Sequence, residues 1–198
     1  MSHYFENDDS LISKRRIIEL SINGRTLSFL SDNGVFSKNH VDDGSRLLIE
    51  TLLSEHLIGK VLEIGTGYGV ICLTLASFIP NISVIATDVN MRALALCKSN
   101  IERLKLSDRV TCLQSDLYAS VEGLYDSIVT NPPIRAGKKL TYALYQGALD
   151  HLIDGGSIYI VIRKSQGAES TLRYLDTLFA RVEILNRDKG FYVLKASK

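Results

Sequence analysis

The chain has almost no excess of charge, no long apolar run and only three cysteines. Lys plus Arg number 23 and Asp plus Glu 22, a net charge of +1, which excludes a polybasic nucleic-acid-binding tail. No apolar stretch reaches the roughly 18 residues that a membrane helix needs. The opening Met1-Ser2-His3-Tyr4-Phe5-Glu6 holds no signal-peptide apolar region, so a cytoplasmic protein is expected. The cysteines, Cys72, Cys97 and Cys112, are odd in number and too far apart in sequence for a metal knuckle. Cys72 and Cys112 stand in apolar stretches and read as buried free thiols, which suits a reducing compartment. What is present fits one globular domain: 198 residues, 45% apolar and 23% charged, enough for a sizeable core and unlike a disordered chain. Residues 131–198 carry 11 basic and 6 acidic side chains, net +5. This basic third either meets an anionic partner or is a solvated mixed surface.

Residues 1–16 are polar and read as an arm. Residues 17–22 and 26–30 flank Asn23-Gly24-Arg25. Asn-Gly accepts positive φ at both turn positions, so a β-hairpin is expected. After the loop Ser31-Asp32-Asn33-Gly34, Asp43 or Ser45 would cap a helix through residues 46–53. From residue 60 short apolar strands, at 61–64, 82–87, 110–113, 126–130 and 157–162, alternate with helices. The helices begin at Val70 and run over 91–104, 140–152 and 169–180. Two last strands, 181–185 and 191–194, flank Asp188-Lys189-Gly190 as a second hairpin. The alternation predicts an α/β protein with an open, mostly parallel sheet and antiparallel pairing at one edge. Residues 1–58 then form an arm, hairpin and helix packed on a body of residues 59–198.

The chemistry gathers at strand ends. Glu63-Ile64-Gly65-Thr66-Gly67-Tyr68-Gly69 follows the first strand of the body and precedes a helix. Its G-x-G-x-G spacing differs from the G-x-G-x-x-G of dinucleotide sites, but glycines there let a ligand approach the backbone. The next strand ends in Asp88, a carboxylate placed to accept both hydroxyls of a ribose. The third leads to Ser115-Asp116, where a second carboxylate can accept an adenine amino group. The fourth ends in Asn131-Pro132-Pro133-Ile134. Each acid alone reads as a helix cap or loop residue; together they fit an adenosine-bearing ligand.

On these motifs the sequence resembles the class I S-adenosylmethionine-dependent methyltransferases over residues 60–198. Within them it is similar to the catalytic half of the bacterial small-subunit ribosomal RNA guanine-N2 methyltransferases. Residues 31–37 (Ser-Asp-Asn-Gly-Val-Phe-Ser), residues 41–48 (Val-Asp-Asp-Gly-Ser-Arg-Leu-Leu) and residues 131–138 (Asn-Pro-Pro-Ile-Arg-Ala-Gly-Lys) are typical of that group. The resemblance implies a Rossmann-like, seven-stranded sheet and S-adenosylmethionine as methyl donor, with no metal. It implies that Gly65, Thr66, Gly67 and Gly69 lie against the methionine portion, with Glu63 ordering the loop. Asp88 would hold the ribose and Asp116 the adenine, with Val89 and Leu117 also binding the cofactor. Residues Asn131, Pro132, Pro133 and Ile134 would form the acceptor site, Asn131 also touching the donor. Longer members carry an extra, degenerate domain ahead of this one that this sequence does not match. Many amino-methyltransferases have Tyr or Phe where this chain has Ile134.

Asn131 and Pro132 suit an amine acceptor. An exocyclic or amide nitrogen is a poor nucleophile because its lone pair is delocalised. Two acceptors on its hydrogens, the Asn131 side-chain oxygen and the Pro132 carbonyl, would hold it facing the methyl group. Proline has no N–H, so the turn is expected to add no competing donor. No strong base is needed, and His40 and His151 read as solvated or capping. Arg135, Lys138, Lys139, Arg163 and Lys164 either meet RNA phosphates or face solvent. Phe36 either stacks on a base or packs in the core. Ribosomal RNA or the small subunit is the expected partner. A glutamine N5 or an adenine N6 fits the same acceptors. A non-catalytic binding module is opposed by Asp88, Asp116 and Asn131 all being present.

Overall fold

The computed structural model describes residues 12–198, the side chain of Arg135 excepted. Most of the arm expected at residues 1–16 lies outside the described residues. Strands β1 (Arg16–Ile22) and β2 (Arg25–Ser31) pair antiparallel, Ile22 opposite Arg25. Asn23 and Gly24 both take positive φ, 47° and 74°, as the Asn-Gly turn requires. Alternation buries Ile18, Leu20, Ile22, Leu27 and Phe29 in the same core as the helices beneath them.

Helix α1 (Asp43–Leu52) is capped by Asp42, not by Asp43 or Ser45 as expected. Asp42 is extended, at φ −70° and ψ 155°, and its carboxylate accepts the Ser45 amide at 3.0 Å. That N–H is one of the free donors of the first turn, which an Asp at the cap satisfies.

The main sheet contains β3 (Gly59–Ile64), β4 (Ile82–Asp88), β5 (Val110–Gln114), β6 (Tyr125–Thr130), β7 (Leu152–Arg163), β8 (Arg181–Asp188) and β9 (Phe191–Ser197). Its seven strands run in the order β5-β4-β3-β6-β7-β9-β8. Strands β3 to β7 are parallel; β9 is antiparallel to both β7 and β8. This is the expected Rossmann-like sheet with a terminal hairpin. Strand β7 starts earlier than expected, at Leu152, because a register shift between Tyr125 and Ser127 of β6 lets it take up residues 153–156 as an irregularity.

Helices α2 (Val70–Phe78) and α3 (Met91–Arg103) join α1 and the hairpin on one face. Helices α4 (Lys138–His151) and α5 (Ala168–Asp176) cover the other. Helix α5 stops short of Ala180, because the chain turns at Thr177 and drives Phe179 into the core. Among the described residues no helix is long and apolar enough to cross a membrane. Cys72 and Cys97 are buried free thiols, whereas Cys112 is only half-buried. It lies on β5, at one edge of the sheet.

One buried side chain fixes the hairpin to the body. Asn100 of α3 accepts from the Leu30 amide at 2.7 Å and donates to the Leu30 carbonyl at 2.9 Å. It also donates to the Tyr68 carbonyl in the glycine loop at 2.9 Å. A carboxamide matches a peptide edge group for group, so it extends the ladder of β2 where no strand follows.

Candidate active site

Sheet order reverses between β3 and β6, and ligands of open α/β sheets bind at the carboxyl ends of strands around such a point. A cavity of about 670 Å³ lies there, within the roughly 300–1,000 Å³ usual for small-molecule sites. Gly65, Thr66, Gly67, Asp88, Val89, Asp116, Leu117 and the whole Asn131–Ile134 segment line it. The structure therefore brings together the four strand ends singled out in the sequence.

The glycine loop divides by role. Gly65 and Gly67 have φ of +77° and +58°, and a Cβ on either would meet nothing within 4 Å. Their bare backbone fronts open space. Gly69, at φ +93°, is behind the cavity instead; a Cβ there would come within 2.8 Å of Cys97 Sγ and Leu73 Cδ1. Gly69 starts α2, and its missing Cβ lets α2 pack on α3.

Beneath the loop Glu63 is buried, and its Oε2 accepts from the Thr66 hydroxyl at 2.7 Å and the Cys72 amide at 3.2 Å. Burial pushes its carboxyl up from 4.5 to about 7, against the lowering effect of those hydrogen bonds. The folded protein thus holds a proton that the unfolded chain releases. Stability from this group is full below about 4.5, declines as pH rises, and is gone above about 7. Across that window the loss is about 3 kcal/mol at most. Glu63→Gln should flatten that slope in denaturant melts between the two pH limits; an unchanged slope would assign the pH dependence elsewhere.

Asp88 ties β4 to the loop. Its Oδ2 accepts the Gly67 amide at 2.8 Å and its Oδ1 the Asn90 amide at 2.9 Å. Burial raises its pKa, opposed by these backbone donors. Each oxygen keeps lone-pair capacity for a ligand hydroxyl. Asp116 is exposed at the cavity edge.

Asn131 is held by a segment that precedes the body. Its Nδ2 donates to Ser45 Oγ at 3.0 Å and to Asp42 Oδ1 at 3.4 Å. Both partners line the same cavity. The Pro132 carbonyl accepts the Ile134 amide at 2.8 Å, and Pro133, at φ −75° and ψ 75°, gives an inverse γ-turn. The expectation of no competing donor is thereby corrected: Ile134 supplies one, and one lone pair of that carbonyl stays available.

The expected substrate residues separate. Phe36 is 41% exposed and lines the cavity, which removes core packing as its role. Arg163 also lines it, with its guanidinium 5.0 Å from the Phe191 ring centre. Lys138 and Lys139, in the first turn of α4, do not; nor does Lys164, which borders a shallow neighbouring depression with Arg163 and Arg173. The side chain of Arg135 lies outside the described residues. His40 is exposed on the cavity wall, while His151 stacks on Tyr118 and pairs its Nδ1 with the Gly147 carbonyl at 2.8 Å. Asp42 and Tyr68 stood inside runs singled out for other residues, Phe191 was read only as part of a strand, and Gln166 carried no signal.

The sequence matches the family model described as methyltransferase small domain over residues 26–195. The chain belongs to that family. This methyltransferase is 40% identical to the uncharacterized protein YbxB of Bacillus subtilis, over 99% of the chain and 98% of that protein. It is 37% identical to the ribosomal RNA small subunit methyltransferase C of Erwinia tasmaniensis, over 83% of the chain and 48% of the relative. Its structure is similar, with a TM-score of 0.83 and 27% identity, to the T. thermophilus 16S rRNA N2 methyltransferase RsmC in complex with AdoMet and guanosine. That match covers 93% of the chain and 50% of the other. The chain spans about half the length of these ribosomal RNA methyltransferases. The cavity fits an S-adenosyl donor on its own evidence: two open glycines face it and an anchored carboxylate stands beside them.

Proposed function

We propose that the protein transfers the methyl group of S-adenosylmethionine to the exocyclic N2 amine of a guanine in ribosomal RNA. The observation that carries this reading is the shared cavity. The acceptor segment Asn131–Ile134 and the glycine–Asp88 cradle face one space. We assign residues 1–58 to an N-terminal unit and 59–198 to the catalytic body. Gly65, Thr66 and Gly67 hold the methionine portion, Asp88 and Val89 the ribose, Asp116 and Leu117 the adenine. Glu63 and Gly69 act from behind, by shaping the loop.

When bound, the donor supplies an already activated methyl group, so the chain's task is binding and orientation. The Asn131 side-chain oxygen and the free lone pair of the Pro132 carbonyl take the two amine hydrogens. They draw the nitrogen toward a tetrahedral shape with its lone pair facing the methyl. Transfer there would exchange the donor's S–C bond for the new N–C bond, and the methylated nitrogen would release one proton to solvent. Ile134 gives the base an apolar floor, and Phe36 offers a ring to stack on. A base in a helix must leave its stack to reach this depth, so the target is single-stranded or extruded.

Arg135, Lys138, Lys139, Arg163 and Lys164 are assigned to RNA phosphates. Lys138 and Lys139 support this assignment. They sit in the first turn of α4, where no acidic residue accompanies them. Cations at a helix N-terminus work against its dipole by about 0.3–1 kcal/mol each, and a phosphate there removes the conflict. Such an RNA substrate puts the protein in the cytoplasm.

Mass mapping of ribosomal RNA from cells with and without the gene tests the reading: one methylguanine should disappear. In filter binding of small-subunit RNA, affinity should fall steeply with salt. Lys138→Glu with Lys139→Glu should weaken it roughly tenfold or more while sparing cofactor affinity. No salt slope, with the double variant equal to wild type, would remove RNA and favour a glutamine-bearing protein.

A further inference from the structure

The acceptor-site amide is gripped from outside the body, by a residue whose burial a helix cap does not explain. Asp42 Oδ1 both caps α1 and accepts from Asn131. Its other oxygen, Oδ2, is buried and has no partner among the described residues. Ser, Thr or Asn would cap the helix as well without burying an unpaired carboxylate oxygen, which is costly. A buried polar atom kept in this state asks for a second role.

The chemistry of Asn131 supplies one. A carboxamide has an oxygen face and an NH₂ face of nearly equal shape. Only the oxygen face can receive an amine hydrogen; the NH₂ face would repel it. The hydroxyl of Ser45 tolerates either face, since it both donates and accepts. A carboxylate only accepts, so Asp42 admits the NH₂ face alone.

We propose that Asp42, assisted by Ser45, is a positioning residue that locks the Asn131 amide with its oxygen turned to the acceptor nitrogen. This rests on Asn131 serving the acceptor, and holds for guanine or any other planar amine. The N-terminal unit thereby takes part in methyl transfer without touching the reacting atoms. With the lock removed, the amide reorients and its oxygen leaves the line of the nitrogen. Misplacement on this scale costs up to about 100-fold in rate.

The test is a mutant cycle in single-turnover transfer to an RNA carrying the mapped target, or to a glutamine peptide if mapping selects that acceptor. Asp42→Ser keeps the cap but shortens the reach to Asn131; Ser45→Ala removes the second contact. Together they should lower the transfer rate roughly 10- to 100-fold, with S-adenosylhomocysteine affinity and KM within about threefold of wild type. In an Asn131→Ala background the same pair should change the rate by less than about twofold, because nothing is left to position. A full additional loss in that background, or an unchanged rate in the native one, overturns the proposal. If Asn131→Ala itself transfers at the wild-type rate, the acceptor assignment falls as well, which separates the two failures. Ser45→Ala alone leaves the cap intact and keeps the cycle readable should Asp42→Ser melt early.

Discussion

Asn131→Ala should lower single-turnover methyl transfer by about 10²–10³ while leaving S-adenosylhomocysteine binding within about threefold. In the proposed mechanism the side-chain oxygen of Asn131 is worth most when the amine nitrogen becomes tetrahedral and its hydrogens turn acidic, so its loss falls on the transition state. Removal of one preorganised polar contact from an enzyme site costs rates of that order. Stability should fall by about 1–3 kcal/mol. The amide's two lost hydrogen bonds, to Ser45 and Asp42, are part-buried, and such bonds contribute about 0.5–1.5 kcal/mol each. A variant that turns over like wild type would remove Asn131 from the mechanism.

Asp88→Ala should weaken S-adenosylhomocysteine binding by about 10- to 100-fold in calorimetric titration, the equivalent of losing a charged hydrogen-bond acceptor. Two effects act together. In the proposed binding mode the ribose hydroxyls lose their acceptor, and the Gly67 and Asn90 amides lose the carboxylate that aims the loop. Asp88→Asn separates the two. One side-chain oxygen remains to hold one amide, so it should bind better than alanine and worse than wild type. Equal affinity in all three proteins would place the donor elsewhere in the molecule.

The parts of this site that were legible in the sequence are those written in neighbouring letters. A polar residue closing an apolar run announces a strand end, so Asp88, Asp116 and Asn131 could be placed from residue order alone. Asn23-Gly24 announced a hairpin because its letters carry the φ values. What stayed hidden depends on partners far along the chain. Asp42 and Asn131 stand 89 positions apart, and no local pattern distinguishes an aspartate that caps from one that also grips. Gly67 and Gly69 are the same letter two places apart, yet a Cβ on the first would meet open space and on the second the Cys97 sulfur at 2.8 Å. Packing partners assign those roles. The Ile134 amide shows the limit of reasoning from residue type: two prolines remove two donors, but the next residue folds back and supplies one.

Asn100 makes the N-terminal hairpin more than an accessory. Its one carboxamide holds both edge groups of Leu30 and a carbonyl of the glycine loop. Peeling the hairpin away would leave the buried Asn100 with its Oδ1 and one Nδ2 hydrogen unpartnered, only the bond to Tyr68 remaining. Loosening β2 thus frees the side chain that also holds the glycine loop, which couples the two. In hydrogen exchange the Leu30 amide and the glycine loop should therefore gain and lose protection together, the peripheral strand pair acting as a splint for the cofactor cradle.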